Sequence, residues 1–461
     1  MILYLICIQL IIVFIISWHN LSKNGWDITQ PFYYFLIAYI GLYSFQAWGL
    51  MTIAQQYYGE ELLFKSMLLA IVGLVMFYLG YASQLSLNIA RKIPTPTPPT
   101  EQQSLINLSL FWIVIGILAQ VVFIDKSGGA EVYFSVARGF GAYKDNTAYL
   151  YLLKWVIFPG LVIGFVAIAS GYVAPWKKIF LYLAGMGFWL FQVISAQRAG
   201  VIMVGILLLA CYYLPKKRKI PVWSALLAFL IVFYVTGMIC LFRGEMYFGS
   251  SFEGFKTYFS NPLEKQVEDL SRSYIGAGGD KSAPTREFLM YINFVNIIPD
   301  KVEYAYGRFY ADYLVNWIPL VIWPNRISFF QEYKAQLSHG IPFSIRGAVF
   351  TILGEYYLNL GIPGIILGCF VTGLLLGILF QWKFLHPNNP GVLIVFLSFF
   401  QIGGMWVICH GILGNLDRVL PFTCIPVASA LLLMRKSKIY RPKYIPVHRI
   451  QTQISKGNED I

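Results

Sequence analysis

The apolar residues of this chain are gathered into runs of about twenty, separated by short polar stretches. A helix of about 20 residues crosses the roughly 30 Å hydrocarbon layer of a bilayer. Lipid offers no partners to backbone polar groups, so each crossing segment must be helical. Only 12% of the 461 residues are charged, about half the fraction found in soluble domains. The sequence therefore predicts an all-α, polytopic integral membrane protein and excludes an ordinary soluble enzyme.

Eleven apolar segments are candidates for transmembrane helices. Lysines and arginines collect on the cytoplasmic side of a membrane, and the densest clusters here are 177–178, 216–219 and 435–443. Placing all three inside gives an outer N-terminus and a cytoplasmic C-terminus. No basic stretch precedes the first run, so we expect a retained span and no cleaved signal. The predicted spans are 1–18, 31–52, 62–82, 104–124, 149–170, 178–195, 200–214, 221–242, 363–382, 391–411 and 416–434.

These spans predict four regions: spans one to eight in 1–242, a long outer segment in 243–346, a short outer helix with the last three spans in 347–434, and a basic cytoplasmic tail in 435–461. The net charge of +13 is explained by this topology, so it does not indicate a nucleic-acid partner. The long outer segment carries equal numbers of acidic and basic residues, and loops of this length are usually functional or disordered. We expect it to be ordered and partly helical.

Two helices are predicted around this region. One, near 284–298, has Phe288, Ile292 and Val295 on one face and should lie along the membrane interface. The other occupies about 347–359 and should break near 361–363, where glycine and proline precede the ninth span.

Five arginines are predicted on the outer face. Arginine is permanently charged and binds phosphate oxygens through two parallel hydrogen bonds. Such residues suit a substrate whose diphosphate sits at the headgroup level, although each could equally be an ordinary snorkelling or salt-bridged residue. The candidates are Arg198 at the outer hairpin tip, Arg243 at the end of the eighth span, and Arg308, Arg326 and Arg346 in the long segment.

Two residues are candidate proton acceptors. His339 is the sole histidine of the long outer segment and is our first choice, since histidine titrates near neutral pH. Glu355, the second choice, is an acid in an otherwise apolar helix, where a charge is costly unless it is paired or functional. A structural pair with an arginine is the alternative for Glu355. We find no metal-ligand or nucleotide-binding motif, and we expect no metal and no cofactor.

Several of these stretches together resemble a known family. They are Tyr306-Gly307-Arg308, Ile318-Pro319-x-x-x-Trp323-Pro324-x-Arg326, His339-Gly340 and the run from Leu353 to Gly361 (LGEYYLNLG). In these pieces, over about 196–365, the chain resembles the oligosaccharide repeat-unit polymerases, the Wzy-type O-antigen and related polysaccharide polymerases. The Gln-Arg-Ala-Gly turn at 197–200 is similar to that family's arginine-bearing turn. Ile327 departs from the pattern, where we expect proline.

The resemblance implies a GT-C-like membrane glycosyltransferase of the bacterial inner membrane, acting in O-antigen and lipopolysaccharide biosynthesis. Such an enzyme joins oligosaccharide units linked to a polyprenyl (undecaprenyl) diphosphate, outside the cytoplasmic membrane. The arginines would hold the diphosphate in place of a metal, and His339 or Glu355 would deprotonate the acceptor hydroxyl in an inverting transfer. A chain-length regulator, a flippase and membrane lipids are the implied partners.

Two other functions remain open from the sequence. An O-antigen ligase would share the donor and the architecture but would transfer the glycan to lipid A core. A lipid-linked-glycan flippase or other transporter would show internal repeats and charges at the membrane midplane. No repeat is evident, and the predicted charges lie at one end of the bundle.

Overall fold

The fold is known from a computed structural model of the chain. The described residues are 1–24, 27, 29–97, 102–130, 133, 148–171, 173–195, 198–213, parts of 221–235, 260, 262, 264, 287–316, 351–401, 411 and 420–434. Every element of regular secondary structure in this part of the chain is a helix, and this part contains no β-strand. This agrees with the all-α prediction.

The helices are numbered here in chain order. They are α1 (Ile2–Asn24), α2 (Pro31–Ile40), α3 (Gln46–Gly49), α4 (Met51–Tyr58), α5 (Glu60–Tyr81), α6 (Gln84–Lys92), α7 (Gln102–Lys126), α8 (Ala148–Leu153), α9 (Ile157–Ser170), α10 (Pro175–Ile194), α11 (Arg198–Tyr213), α12 (Glu287–Ile297), α13 (Arg308–Asn316), α14 (Ile352–Leu385), α15 (Pro390–Gln401) and α16 (Leu420–Leu432). A π-helical turn (Gly41–Phe45) links α2 to α3, and a 3-10 turn (Lys154–Val156) links α8 to α9.

Six helices of the described part are long and apolar enough to cross a membrane. They are Ile2–Asn24, Glu60–Tyr81, Gln103–Lys126, Leu150–Ser170, Pro175–Ile194 and Ile352–Leu385. The helical membrane class is therefore confirmed. Three shorter apolar helices, Gly200–Ala210, Pro390–Phe399 and Phe422–Leu432, overlap the predicted seventh, tenth and eleventh spans. The predicted second span is divided into α2, α3 and α4, and much of the predicted eighth lies outside the described residues. The total of eleven stays a prediction.

Helix α14 consists of two arms that fold back on each other. Gly361 interrupts the helix with φ 64° and ψ −140°, a left-handed conformation that glycine adopts without a Cβ penalty. The short arm (352–360) then packs along the first turns of the long arm (362–385). The Tyr356 ring lies against Gly368, and its hydroxyl is hydrogen-bonded to that of Thr372. The long arm alone is about 36 Å long and can cross a bilayer.

The long arm makes its closest contact with α5. A Cβ on Gly373 would overlap the carbonyl oxygen of Phe77, and a Cβ on Gly80 would overlap that of Phe370. Glycines four apart, here Gly373 and Gly377, allow two membrane helices to approach until their backbones touch. This contact fixes α5 and the long arm as parallel neighbours.

Contacts between the ends of three helices show that these helices run in the relative directions that the predicted topology requires. At one end, the amino group of Met1, directly before α1, lies 3.8 Å from the Glu60 carboxylate at the start of α5. At the other end, Lys383 of the long arm forms an ion pair of 2.6 Å with Asp27, just after α1. Helices α1 and α5 and the long arm therefore run in the same direction. Which side of the membrane each end faces stays a prediction.

Helix α12 corrects one sequence-based prediction. The helix is present at Glu287–Ile297, close to the predicted 284–298, but residues on all its faces are buried by the protein. Tyr291 donates a hydrogen bond of 3.0 Å to the Ser66 carbonyl oxygen in α5. The Phe294 ring lies against Gly354 of the short arm. The interfacial assignment is wrong, because α5 and the short arm cover faces that the sequence pattern left open to lipid or water.

Candidate functional site

The short arm of α14 begins with a capped N-terminus. Thr351 precedes the helix in an extended conformation, and its hydroxyl accepts a hydrogen bond of 3.2 Å from the Gly354 amide. Threonine at this position satisfies one of the amides that a helix leaves without a partner. Glu355 follows in the first turn, where an acidic side chain is favoured by the helix dipole. The local sequence therefore sets both the start of the short arm and the place of its carboxylate.

The C-terminal end of the short arm is covered by the segment 304–307. The Ala305 amide donates to the Leu358 carbonyl oxygen, and the Tyr306 amide donates to that of Asn359, both at 3.0 Å. The Asn359 side chain joins the two segments, because its amide oxygen accepts from the Gly307 amide at 3.0 Å and its nitrogen donates to the Glu355 carbonyl oxygen at 2.8 Å. These bonds satisfy carbonyls that a helix end leaves without intrahelical partners.

Glu355 is fully buried, with 0% of its surface exposed. The Tyr310 hydroxyl, in the first turn of α13, donates a hydrogen bond of 2.9 Å to Oε1 of Glu355. Burial and the nearby Glu355 carboxylate both raise the pKa of Tyr310 far above its usual value. The hydroxyl therefore keeps its proton at any physiological pH and remains a donor to the carboxylate. The carboxylate is held in one orientation away from bulk water.

Two of the stretches that carried the family resemblance contact each other where the segment 304–310 packs against the short arm. Tyr306-Gly307-Arg308 forms the turn into α13, with Tyr306 at φ 47° and Gly307 at φ 80°. The run 353–361 is the short arm with its terminal break. The predicted site residues Arg308 and Glu355 thus belong to two segments that pack against each other. Arg308 is the exposed first residue of α13, and Glu355 is buried in the short arm. Nothing in the local sequence of either stretch indicates this contact.

Of the remaining predicted site residues, one is placed in a helix and the other four lie outside the described part of the chain. Arg198 is the first residue of α11, which begins four residues after the end of α10. The positions of His339, Arg243, Arg326 and Arg346 lie outside the described residues. Their gathering with Arg198 and Arg308 around one diphosphate stays a prediction. Within the described residues there is no group of three metal-ligating side chains.

Two functional candidates were missed at the level of sequence. Tyr310 has no distinguishing signal, because aromatic residues are frequent throughout the chain. Lys154 does have one, since it is a lysine inside the apolar run 149–170, and ionisable residues within spans are functional candidates by default. In the structure it is fully buried, and its Nζ lies 3.8 Å from the centroid of the Tyr151 ring.

These features define the class of the protein. It is an all-helical membrane protein in which a fully buried glutamate sits on a folded-back helix arm next to apolar helices of membrane-spanning length. Comparison with protein-family models, curated proteins and solved structures finds no match to this chain.

Proposed function

We propose that this protein is a membrane glycosyltransferase that polymerises polyprenyl-diphosphate-linked oligosaccharide units into O-antigen or a related surface polysaccharide. It would act at the outer face of a bacterial inner membrane, with the N-terminus outside and the C-terminus in the cytoplasm. Its substrate is the lipid-linked oligosaccharide, and a flippase and a chain-length regulator are its expected partners. The single observation that carries the proposal is the buried Glu355 carboxylate, held by Tyr310 on a helix that folds back beside the long arm.

The chemistry of this reaction uses such a carboxylate as a general base. The acceptor sugar hydroxyl attacks the anomeric carbon of the donor, and its proton passes to the base. The bond from the anomeric carbon to the diphosphate oxygen breaks, and the diphosphate leaves with the electron pair. Two residues are candidates for this base. Glu355 lies within the described part of the chain, and His339 belongs to the long outer segment and lies outside the described part. The Tyr310 hydrogen bond keeps the Glu355 carboxylate oriented before the hydroxyl arrives.

Positive charge must stabilise the leaving diphosphate, and preorganised charge of this kind is often the largest catalytic contribution. Arg308 begins α13, the helix whose Tyr310 contacts Glu355. Arg198 begins α11, and Arg243, Arg326 and Arg346 complete the proposed set. The long segment 243–346 would close over the site and select the sugars.

Complementation of a strain that lacks this gene tests the proposal. Gel profiles of the surface glycan should show single repeat units in the deleted strain and polymer after return of the wild-type gene. Glu355→Gln should restore no polymer although the protein reaches the membrane. The matched control is Glu303→Gln, which changes an exposed acid directly before the segment 304–307. This variant should restore polymer.

Three results would contradict parts of this proposal. Normal polymer from Glu355→Gln would remove Glu355 as the base, and the same result from His339→Ala as well would remove both candidates. Complete loss of attached glycan in the deleted strain, including single units, would identify a ligase. An unchanged profile in that strain would end the polymerase proposal.

A further inference from the structure

Lys154 lies inside the helical bundle near the start of the candidate span Leu150–Ser170. Lysines at such positions normally extend their ammonium group to the interface, but Lys154 has 0% of its surface exposed. Its Nζ lies 3.8 Å from the centroid of Tyr151 and 5.7 Å from those of Trp155 and Phe191. Aromatic faces attract a cation, so the rings hold positive charge in the interior of the bundle.

The last turn of α10 brings polar side chains to the same end. Gln192 follows Phe191 directly and is fully buried, yet neither atom of its side-chain amide makes a hydrogen bond. The Ser195 hydroxyl, one turn after Phe191 and 7% exposed, also makes none. Buried polar atoms in folded proteins almost always have a hydrogen-bond partner. The Gln192 amide and the Ser195 hydroxyl are therefore available to bind a group that the protein itself does not supply.

A third such side chain comes from α7. The antiparallel register of α7 with α8 and α9 is given by Gly116, which touches Ile157, and by Phe123, whose ring centroid is 5.4 Å from that of Tyr151. Gln120 lies between these two contacts, at the level of the turn that carries Lys154. It is 7% exposed, and both its amide atoms lack hydrogen bonds.

The N-terminus of α11 completes this end of the bundle. Gly200 lies so close to Gln192 that a Cβ there would be 2.5 Å from its Oε1. Arg198 is the first residue of α11, and the amides at a helix N-terminus carry partial positive charge that favours anions. One cation, two side-chain amides, one hydroxyl and a helix N-terminus therefore lie at the same end of the bundle, carried by α7, α10, α11 and the 3-10 turn between α8 and α9.

We propose that this cluster, defined by Lys154, Gln120, Gln192 and Ser195, binds a diphosphate group. The side-chain amides and the hydroxyl would donate to phosphate oxygens, and Lys154 would balance their charge where solvent screening is weak. The inference rests on the proposed function in one respect, that the diphosphate is the one carried by the lipid-linked donor. The cluster would bind this group before the transfer, and the proposed arginines would stabilise it as it leaves. Lys154 is then a substrate-binding residue that no motif of the chain indicates.

Binding to the purified full-length protein in detergent tests the site. The probes are a polyprenyl diphosphate without sugar, labelled for titration, and inorganic diphosphate as a competitor. Lys154→Met should weaken binding of the labelled lipid at least about tenfold, since a hydrogen bond to a charged group contributes about 1.5–3 kcal/mol. Lys154→Arg should retain most of the affinity, because the positive charge is kept.

Lys177→Met is the matched control. Lys177 is also buried and also on α10, but it lies in the first turn of that helix, where its Nζ donates to Asn107 Oδ1 at 3.0 Å. The first and last turns of this helix are about 25 Å apart, so Lys177→Met should leave binding unchanged within about twofold. If Lys154→Met does not fold, Gln192→Leu and Ser195→Ala decide, each with an expected loss of about threefold or more.

The outcomes separate this inference from the polymerase proposal. Unchanged lipid binding in folded Lys154→Met, or in both Gln192→Leu and Ser195→Ala, overturns the diphosphate site even if Glu355 is required for polymer. Binding that depends on Lys154, in a protein whose deletion leaves the glycan unchanged, supports the site and rejects the polymerase. Competition by inorganic diphosphate shows that the anion alone is recognised, and its failure to compete assigns recognition to the lipid-borne group.

Discussion

The Tyr310 hydroxyl donates a hydrogen bond of 2.9 Å to Oε1 of Glu355 across a contact between two segments that are far apart in the chain. On one side is α13 with its preceding turn, and on the other is the short arm of α14. The contact orients a carboxylate that is fully buried and joins two of the sequence stretches that suggested a glycan polymerase. Tyr310 acts through Glu355, so it is a positioning residue in the proposed reaction.

Tyr310→Phe should lower the rate of polymer formation at least about tenfold, because one hydrogen bond to a charged group is lost. The loss should fall on kcat and leave KM nearly unchanged, because Tyr310 orients the base and does not bind the sugar. The measurement is the initial rate against substrate concentration in membranes. Tyr306→Phe, at a residue with 64% of its surface exposed, is the control. An unchanged kcat would contradict the positioning role of Tyr310.

Gly361→Ala should impair the fold-back of α14. Its φ of 64° disfavours any residue with a Cβ, and the new atom would lie 2.7 Å from the Tyr304 hydroxyl. We expect a loss of about 1–2 kcal/mol in stability and a larger loss of activity, because the Glu355 arm moves. Gly59→Ala has a similar φ of 79° but open space around it, so it should lose stability and keep activity. Thermal unfolding and polymer assays on both variants make the comparison, and equal activities would contradict the expectation.

Gly373→Ala should destabilise the contact between α5 and the long arm. The added methyl group would overlap the Phe77 carbonyl oxygen, and the helices can accommodate it only by moving apart. The expected cost is about 1–3 kcal/mol in thermal or denaturant unfolding in detergent. Gly187→Ala on α10, with nothing within 4 Å of the new atom, should be neutral or slightly stabilising. Equal stabilities of the two variants would show that α5 and α14 are not so closely packed.

Asp27→Asn should destabilise the protein by about 2–3 kcal/mol at pH 7, because it leaves the buried Lys383 ammonium without its counter-ion. Burial by itself would raise the pKa of Asp27, but the Lys383 ammonium at 2.6 Å outweighs burial, and hydrogen bonds from Thr29 add to its effect. The pKa in the folded protein is therefore lowered, so this stabilisation is present above about pH 4 and is lost as the pH falls below that value.

Thermal unfolding at pH 7 and at pH 4 or below tests this ion pair. The wild-type protein should lose more stability on acidification than Asp27→Asn, whose uncharged amide does not titrate. Glu60→Gln is the control, since Glu60 and the amino terminus form an exposed pair at 3.8 Å and such pairs contribute little. A large effect of Glu60→Gln, or parallel acid sensitivity of wild type and Asp27→Asn, would contradict the assignment.

The sequence determined the membrane class and several local boundaries, because these depend on short-range properties of the chain. Apolar run length decides that a segment crosses a bilayer, and the glycine and proline at 361 and 363 decide that the short arm ends there. The break between α10 and α11 is likewise local, between two apolar runs. Glu355 was found as a candidate because an acid is rare in an apolar helix.

Only the tertiary structure decided which of these residues meet. The hydrophobic pattern of α12 is the same whether one face or all faces are covered, so only packing against α5 and the short arm shows its full burial. The hydrogen bond from Tyr310 to Glu355 and the rings around Lys154 join side chains from separate helices. Such contacts depend on how the helices pack, because a periodic apolar sequence specifies a helix and a face but carries no record of the neighbour that will cover it.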